Sequence, residues 1–505
     1  MDQPRLTYLL NNRTALDPLE IESIRHEVHV RTQAIERLQL ELQNLESERA
    51  AWQSLLSPLR RNSIPPEILG EIFGYVVDSI KPRRSQVNLL CRVCKVWRDV
   101  ALGIPSLWAQ LDDIEVQNKL DVAKFHTWLS RAGNAGKVLS IEGQYWHPDH
   151  VCPFAASAVQ ELLSKGPCFN SLSLKCKSLE CFTKLLRSTP NHGAPPFAAS
   201  FNSLQSISLG FAHWPSSPDA WQLLDHLPPV TSLALDLPEP DYEHSDNPES
   251  PLPQSIFTAN LTKLCIKSTW PVAWILDIAE VCINLESLVL EYGTGTTDED
   301  VQIPSGEILL PKLRSLELRE MSVYQESTHI LRYLEVPSLK ELQIVYYGYD
   351  QALLEELSHP EMEDFCADML SLVSGSNAVT ELHYLRLENL PIAAASLYDI
   401  LSAFPSLRHL VLDNVQSDSS LFRYRDIGDE PPLFLDLEVL EMLYAPPSFD
   451  PKDICSFFNK KKRSLKQLVM TIALHPSPGE KYHGRILSRG GTDISISYIR
   501  PWYHV

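Results

Sequence analysis

No uninterrupted apolar stretch in this sequence approaches the ~20 residues that a membrane-spanning helix needs, so no spanning helix is expected. The opening residues, MDQPRLTYLLNNRTALDPLE, lack the basic segment, apolar core and small-residue cleavage site of a secretory leader. Ten cysteines are scattered without regular pairing. With no leader, these are expected to be reduced thiols in the cytoplasm, the nucleus or both. An excess of positive charge is also missing. The formal net charge is −20, a field that disfavours nucleic acid and anionic membranes as partners. Phosphate-binding loops, dinucleotide-binding glycine patterns and nucleophile elbows are absent as well. No catalytic residue and no cofactor are therefore expected. What remains is a folded chain's composition, 44% hydrophobic and 21% charged. Its 505 residues suit several domains or one elongated domain.

Residues 1–16 are expected to be disordered, and residues 17–56 to form one helix. Asp17 supplies an N-cap, Pro18 the first helical position, and Glu20 falls three residues after the cap. The apolar residues follow a heptad. Ile21, Val28, Ile35, Leu42 and Leu56 take one seam position; Ile24, Leu38, Leu45 and Trp52 take the other, with Arg31 and Arg49 interrupting. Two readings stand: a helix packed on its own protein, or a coiled-coil arm that self-associates.

The strongest signal is an internal repeat, apolar-x-x-apolar-x-apolar. It runs FNSLSL (169), LQSISL (204), VTSLAL (230), LTKLCI (261), LESLVL (285), LRSLEL (313), LKELQI (339), LHYLRL (382), LRHLVL (407), LEVLEM (437) and LKQLVM (465). VLSI at 138–141 reads as a degenerate first copy. Two apolar residues two apart share one face of a strand, and the one three before them turns into the same interior. A single unit cannot bury that face, whereas stacked units share a continuous core. Helix-like spacing between copies, as in WQLLDHLPP (221) and WILDIAEVC (274), makes the prediction a curved α/β solenoid over residues 120–480, followed by a tail at 481–505. The pattern resembles leucine-rich repeats, although the usual Asn after the strand is often missing, as in LRSLELRE and LKELQIVY.

Two intervals exceed the repeat. The acidic, Pro- and Ser-rich 236–254 reads as a solvated loop, and 350–379 is expected to hold a longer helix. Three short motifs point elsewhere. His147, Asp149, His150 and Cys152 are metal-ligand types, but no second cluster at metal-finger spacing follows, and a loop is the better reading. Cys91 and Cys94 have redox-pair spacing, but no strand precedes them, so packing is expected. NKKKRS (459–464) reads equally as a nuclear import signal or a solvated helix end.

Between the long helix and the solenoid lies an apolar block, 59–111. Pro65 and Pro66 preset a helix start, and Glu67 suits the positive end of the helix dipole. Ile68, Leu69, Ile72, Phe73 and Val76 form one wide apolar stripe. A second helical stretch, SQVNLLCRVCKVWRDVALG (85–103), carries Val87, Leu90, Val93, Cys94, Trp97 and Val100, and IPSLWAQL closes the block with Trp108. So short a block is marginal as an independent core. Either it packs on the solenoid or part of it is meant for a partner.

Ile-Pro-Pro-Glu-Ile-Leu, then Val-Cys-Lys-x-Trp, then Pro-Ser-Leu-Trp, in that order and ahead of leucine-rich repeats, resembles the F-box, and in particular the F-box proteins abundant in mushroom-forming fungi. The resemblance implies the non-catalytic substrate-recognition subunit of a cullin–RING (SCF-type) ubiquitin ligase, docked on a Skp-type adaptor and through it on a cullin. It places adaptor contacts at Pro65, Pro66, Ile68, Leu69, Ile72, Phe73, Leu90, Val93, Cys94, Trp97 and Trp108. Trp97 and Trp108 also read as internal packing. Leu69→Ala or Phe73→Ala is expected to weaken adaptor binding by about 2 kcal/mol. The segment DSIKPRRSQ is longer and more basic than the usual turn, and Arg92 falls where leucine is common.

A protein target is expected on the concave side of the solenoid, where residues flanking the paired leucines point outward. Glu317 and Arg386 lie in that column, and Trp214, Tyr292, Tyr346, Tyr347 and Tyr444 just past the strands. Aromatic residues there suit protein recognition. The alternative is a non-catalytic leucine-rich scaffold unconnected with ubiquitin.

Overall fold

The computed structural model divides the chain into two compact units, one of residues 1–81 and 85–104, the other of residues 82–84 and 105–505. It describes residues 7–8, 11, 16–56, 64–79, 83–115, 122–142, 161–163, 166–178, 203–213, 228–238, 260–270, 272–292, 308–321, 326–347, 360–375, 381–417, 419–422, 434, 436–446, 449, 454, 457–458, 465–473, 485–489 and 492–499.

The first unit is helical. Helix α1, Pro18–Leu56, runs for 39 residues. Its start is the reciprocal cap that the sequence predicts: the Asp17 N–H donates to Glu20 Oε2 at 3.2 Å, and the Leu19 N–H to Asp17 Oδ1 at 3.5 Å. Three helices follow: α2 (Pro66–Ser79), α3 (Arg83–Val93) and α4 (Lys95–Leu102). The single stretch expected over 85–103 is thus two helices. Cys94 breaks it with extended backbone (φ −159°, ψ 172°), and its Sγ accepts the Trp97 N–H at 3.5 Å as an N-cap. Cys94 is exposed, so capping replaces the packing expected of it. Arg98 Nε spans the break to the Cys91 carbonyl at 2.9 Å.

The second unit opens with the short α5, Pro105–Trp108, and with β1 (Gln110–Glu115), α6 (Val122–Ser130) and β2 (Val138–Glu142). Then come β3 (Ser171–Ser178), β4 (Ser206–His213), β5 (Ser232–Asp236), β6 (Lys263–Ser268), α7 (Val272–Val281), β7 (Ser287–Tyr292), β8 (Ile308–Leu309), β9 (Ser315–Met321), β10 (Leu334–Glu335) and β11 (Glu341–Tyr346). The rest are α8 (Pro360–Gly375), β12 (Tyr384–Glu388), α9 (Ala394–Ser402), β13 (His409–Asp413), β14 (Val439–Ala445), β15 (Gln467–Ala473), β16 (Arg485–Arg489) and β17 (Thr492–Ile499). Among the described residues, fifteen strands form one sheet in the order β1-β2-β3-β4-β5-β6-β7-β9-β11-β12-β13-β14-β15-β17-β16, while β8 and β10 pair separately. Every pairing in the large sheet is parallel except β16 on β17.

This sheet is the repeat made visible. Each copy supplies one strand whose paired apolar residues face inward: Leu316 and Leu318 of β9 are fully buried, as is Leu313 before them. Register locks the copies, with Leu316 beside Leu288 on one side and Leu342 on the other. The helices expected at 274–282 and within 350–379 form as α7 and α8. The boundaries move outward. The sheet starts at β1, before residue 120, and the expected tail contains β16 and β17, which carry it to Ile499. Residues 147–152, 214, 239–254 and 459–464 lie outside the described residues. Among the described residues, no helix is long and apolar enough to cross a membrane, and no cluster of three or more His, Cys, Asp or Glu suits a metal ion.

Where the repeat does carry its Asn, that residue builds a ladder. Asn389 Nδ2 donates to the Tyr346 carbonyl at 3.0 Å, Asn414 Nδ2 to Asn389 Oδ1 at 2.8 Å, and Gln416 Nε2 to Asn414 Oδ1 at 2.9 Å. Both Asn residues are left-handed, φ 57° and 51°, which Asn tolerates better than most residues. Asn414→Ala orphans two partly buried groups and is expected to cost about 1–3 kcal/mol in denaturant unfolding. Asn414→Gly removes the backbone strain but not the orphaned groups, so a fully restored stability would show that conformation rather than the ladder matters.

Candidate docking face and recognition surface

Helix α2 begins where Pro65 accepts the Leu69 N–H at 3.0 Å. Its stripe is wide enough to serve two surfaces. Leu69, Phe73 and Val77, spaced by four, are buried, at 3%, 0% and 1% exposure. Phe73 packs on Trp97 of α4, ring centres 5.0 Å apart and tilted by 55°. Ile68, Ile72 and Tyr75 lie beside them on the helix and face solvent, at 53%, 43% and 78%. On α3, Val87 and Leu90 are buried while Leu89 and Val93 are exposed; on α4, Val96 and Leu102 are exposed. The unit has an interior and, separately, a set of uncovered apolar side chains.

The expected adaptor contacts divide accordingly. Pro65, Pro66, Ile68, Ile72, Val93 and Cys94 are exposed, and Trp97 is half-buried. Leu69, Phe73 and Leu90 are core, so they support a docking face rather than form it. Trp108 belongs to the second unit. It is buried 4.5 Å from Trp128, with the Arg131 guanidinium 4.5 Å over its ring, and Trp128 Nε1 donates to the Gln110 carbonyl at 3.3 Å. Its role is to start the sheet core, the internal-packing reading. Tyr75, Leu89, Val96 and Leu102 were not singled out from sequence; the width of the stripe in α2 was the available signal for Tyr75.

Residues 62–113 match the F-box-like family. This block is an F-box-like domain. The chain thus carries an F-box-like domain followed by a leucine-rich-repeat type of parallel sheet. No curated protein matches its sequence. Among solved structures, it is similar to a chain of the Toll–Spatzle complex, a molecular hub in Drosophila development and innate immunity. The TM-score is 0.27 at 13% identity, covering 72% of this chain and 58% of that one. It is also similar to a chain of the TLR13–ssRNA13 complex, with a TM-score of 0.23 at 16% identity, covering 69% and 50%. The chain thus spans only about half of either neighbour, and likeness at these scores carries no argument; the sheet itself carries the repeat assignment.

The non-core face of that sheet carries charged pairs from β6 to β14, interspersed with apolar residues such as Val289 and Val411. Lys267 pairs with Glu291, and Arg319 Nε donates to Glu317 Oε1 at 2.7 Å. Arg386 reaches both Glu388 Oε2 (2.8 Å) and Asp413 Oδ2 (2.7 Å), while His409 Nε2 meets Glu441 Oε1 at 2.9 Å and Tyr384 edge-on, rings 5.0 Å apart. Of the residues expected to meet a target, Glu317 and Arg386 lie on this face, Tyr347 and Tyr444 are exposed, and Trp214 lies outside the described residues. Tyr292 and Tyr346 are corrections: both are buried. Each follows the last core residue of its strand by two, so alternation turns it inward, and Tyr346 packs edge-on against Phe365, 5.8 Å between rings. Tyr444 shares that spacing but escapes. Its left-handed backbone, φ 51°, sits in a bulge opposite β15, and Ala445 takes the buried place.

Asp413 is held above the usual carboxylate value, first by burial and then by Glu388, with Arg386 opposing and Glu441 adding. Arg386→Met removes the opposing cation, so the folded-state value rises further above 3.8. A raised acid stabilises the fold below its unfolded value, and that contribution is lost as pH rises through the folded value. Arg386→Met should therefore fall progressively behind the parent in thermal stability as pH rises above the ordinary carboxylate value of 3.8. A pH-independent difference would count against this coupling. Burial likewise pushes the Cys282 thiol up to about 12.

Proposed function

We propose that this chain is the substrate-recognition subunit of a cullin–RING, SCF-type ubiquitin ligase. The F-box-like domain docks a Skp-type adaptor, which connects it to a cullin, and the repeat sheet holds a protein target for ubiquitination and degradation. The chain contributes no chemistry of its own, and this reading requires no cofactor. It acts in the cytoplasm, the nucleus or both.

The supporting observation is the exposed row Ile68, Ile72 and Tyr75 on a helix whose neighbouring stripe closes the domain's core. Covering an aliphatic side chain of this size gains about 1.5–3 kcal/mol, so a row of them is a ready source of binding energy. F-box domains generally bind Skp-type adaptors, and Pro65, Pro66 and Val93 extend the same exposed set. For the target, Glu317, Arg386, Tyr347, Tyr444 and Trp214 are the proposed contacts. The test is co-expression of the full chain with a Skp-type adaptor and a cullin, followed by tagged capture. Equimolar adaptor with associated cullin is expected. A folded chain that never retains the adaptor would leave the scaffold reading in its place.

A further inference from the structure

Among the described residues, the longest helix leaves most of its apolar seam exposed to solvent. Along α1 the seam residues Ile21, Val28, Ile35, Leu42 and Leu45 are exposed, Leu38 at 60% and Trp52 at 67%, while Ile24 is half-buried. A 39-residue helix is about 58 Å long at 1.5 Å per residue. We propose that α1 covers this seam with α1 of a second copy, as a parallel, in-register two-stranded coiled coil, making the protein a homodimer. The proposal does not depend on adaptor binding.

The occupant is fixed by the pattern itself. A strict seven-residue repeat over this length fits a helix of the same repeat through knobs-into-holes packing. Among the described residues, no other helix exceeds 16 residues, so none matches it in length. With Ile21 at position a, the a positions read Ile21, Val28, Ile35, Leu42, Arg49 and Leu56 and the d positions Ile24, Arg31, Leu38, Leu45 and Trp52, so the centre of the helix sets Val28 and Ile35 at a against Leu38 and Leu45 at d. β-Branched residues at a with leucine at d favour two parallel strands. The area is also sufficient. At about 60–120 Å² for each Val, Leu or Ile side chain, the apolar seam positions of two helices bury on the order of 1,000–2,000 Å², the size of a specific interface.

The two arginines fit as local costs rather than as breaks. Arg31, at d, pairs with Glu27 one turn earlier, Nε to Oε1 3.0 Å, which gives its charge a partner at the edge of the seam. Arg49, at a, would lie beside Glu48 of the other copy. On the flanks, Glu20 would face Arg25 while Glu41 would face Glu46. One pair attracts and one repels, so the apolar seam decides the arrangement.

Sedimentation velocity on the full chain, over a wide concentration range, tests this. A species of twice the 57.1 kDa chain mass is expected. Leu38→Asp/Leu45→Asp should sediment as monomer with its helical circular dichroism largely retained and should still capture the adaptor, which separates this proposal from the ligase reading. Arg31→Leu/Arg49→Leu should tighten the dimer by on the order of 10-fold; weakening would overturn the assigned register. Val28→Cys places a thiol against its own copy and should form an interchain disulfide on oxidation beyond any seen in the parent. A dimer that fails to cross-link there overturns the parallel arrangement, and a parent chain that is monomeric throughout overturns the dimer.

Discussion

Replacing Ile68 and Ile72 together by aspartate is expected to abolish capture of a Skp-type adaptor and leave the chain folded. Both side chains face solvent in the free protein. In the free protein the change therefore costs little beyond a few tenths of a kcal/mol of helix propensity per site. In a docked complex the same positions would bury two unpaired carboxylates, each costing several kcal/mol. A loss of 100-fold corresponds to about 2.7 kcal/mol, and the variant should exceed it. Calorimetric titration with the adaptor, alongside thermal melts of the free chain, measures both halves. Leu69→Ala and Phe73→Ala should behave in the opposite way. Both residues are buried, so truncation opens a cavity worth about 2–5 kcal/mol of stability, and adaptor binding should drop only as the domain melts. Unchanged adaptor affinity in the aspartate variant would remove the exposed row from the docking surface.

That reversal shows where sequence reasoning reached its limit. The stripe of α2 is legible as a stripe, because three- and four-residue spacing is a property of the chain alone. Which side of the stripe meets the protein interior is decided by α3 and α4, and the placement of those helices turns on the break at Cys94. A cysteine taking extended backbone between two helices has no strong local signal, unlike the Asp17 cap with its partner Glu20. The sheet was easier, because one leucine spacing was repeated until chance was excluded. Its ends were not, for the same reason. β17 is built from TDISISYI, where isoleucine alternates without the leading leucine, so a search on the motif passes over it. Period-two alternation, together with Gly490 and Gly491 between two strand-like runs, was the available signal. Tyr292 and Tyr346 turn inward because alternation continues past the motif, whereas Tyr444 is turned outward by a bulge that no spacing reveals.

The leucines that made the sheet legible also set a large and localised stability effect. Leu316→Ala should cost about 2–5 kcal/mol, because the side chain is fully buried and its register neighbours Leu288 and Leu342 are fixed by their own ladders. The adjacent Glu317 faces outward and pairs with the half-exposed Arg319. Glu317→Ala should stay below about 1 kcal/mol, as for other solvent-screened pairs. The location of the damage is as diagnostic as its size. In a repeat sheet each strand is supported mainly by its neighbours, so stability is close to a sum of local and nearest-neighbour contributions. Hydrogen exchange in Leu316→Ala should therefore accelerate in β7, β9 and β11 and remain near the parent rate in β14 and β15. Acceleration spread evenly from β2 to β15 would mean that the fifteen strands unfold as one cooperative block, and the stacked-repeat account of this sheet's energetics would have to be abandoned.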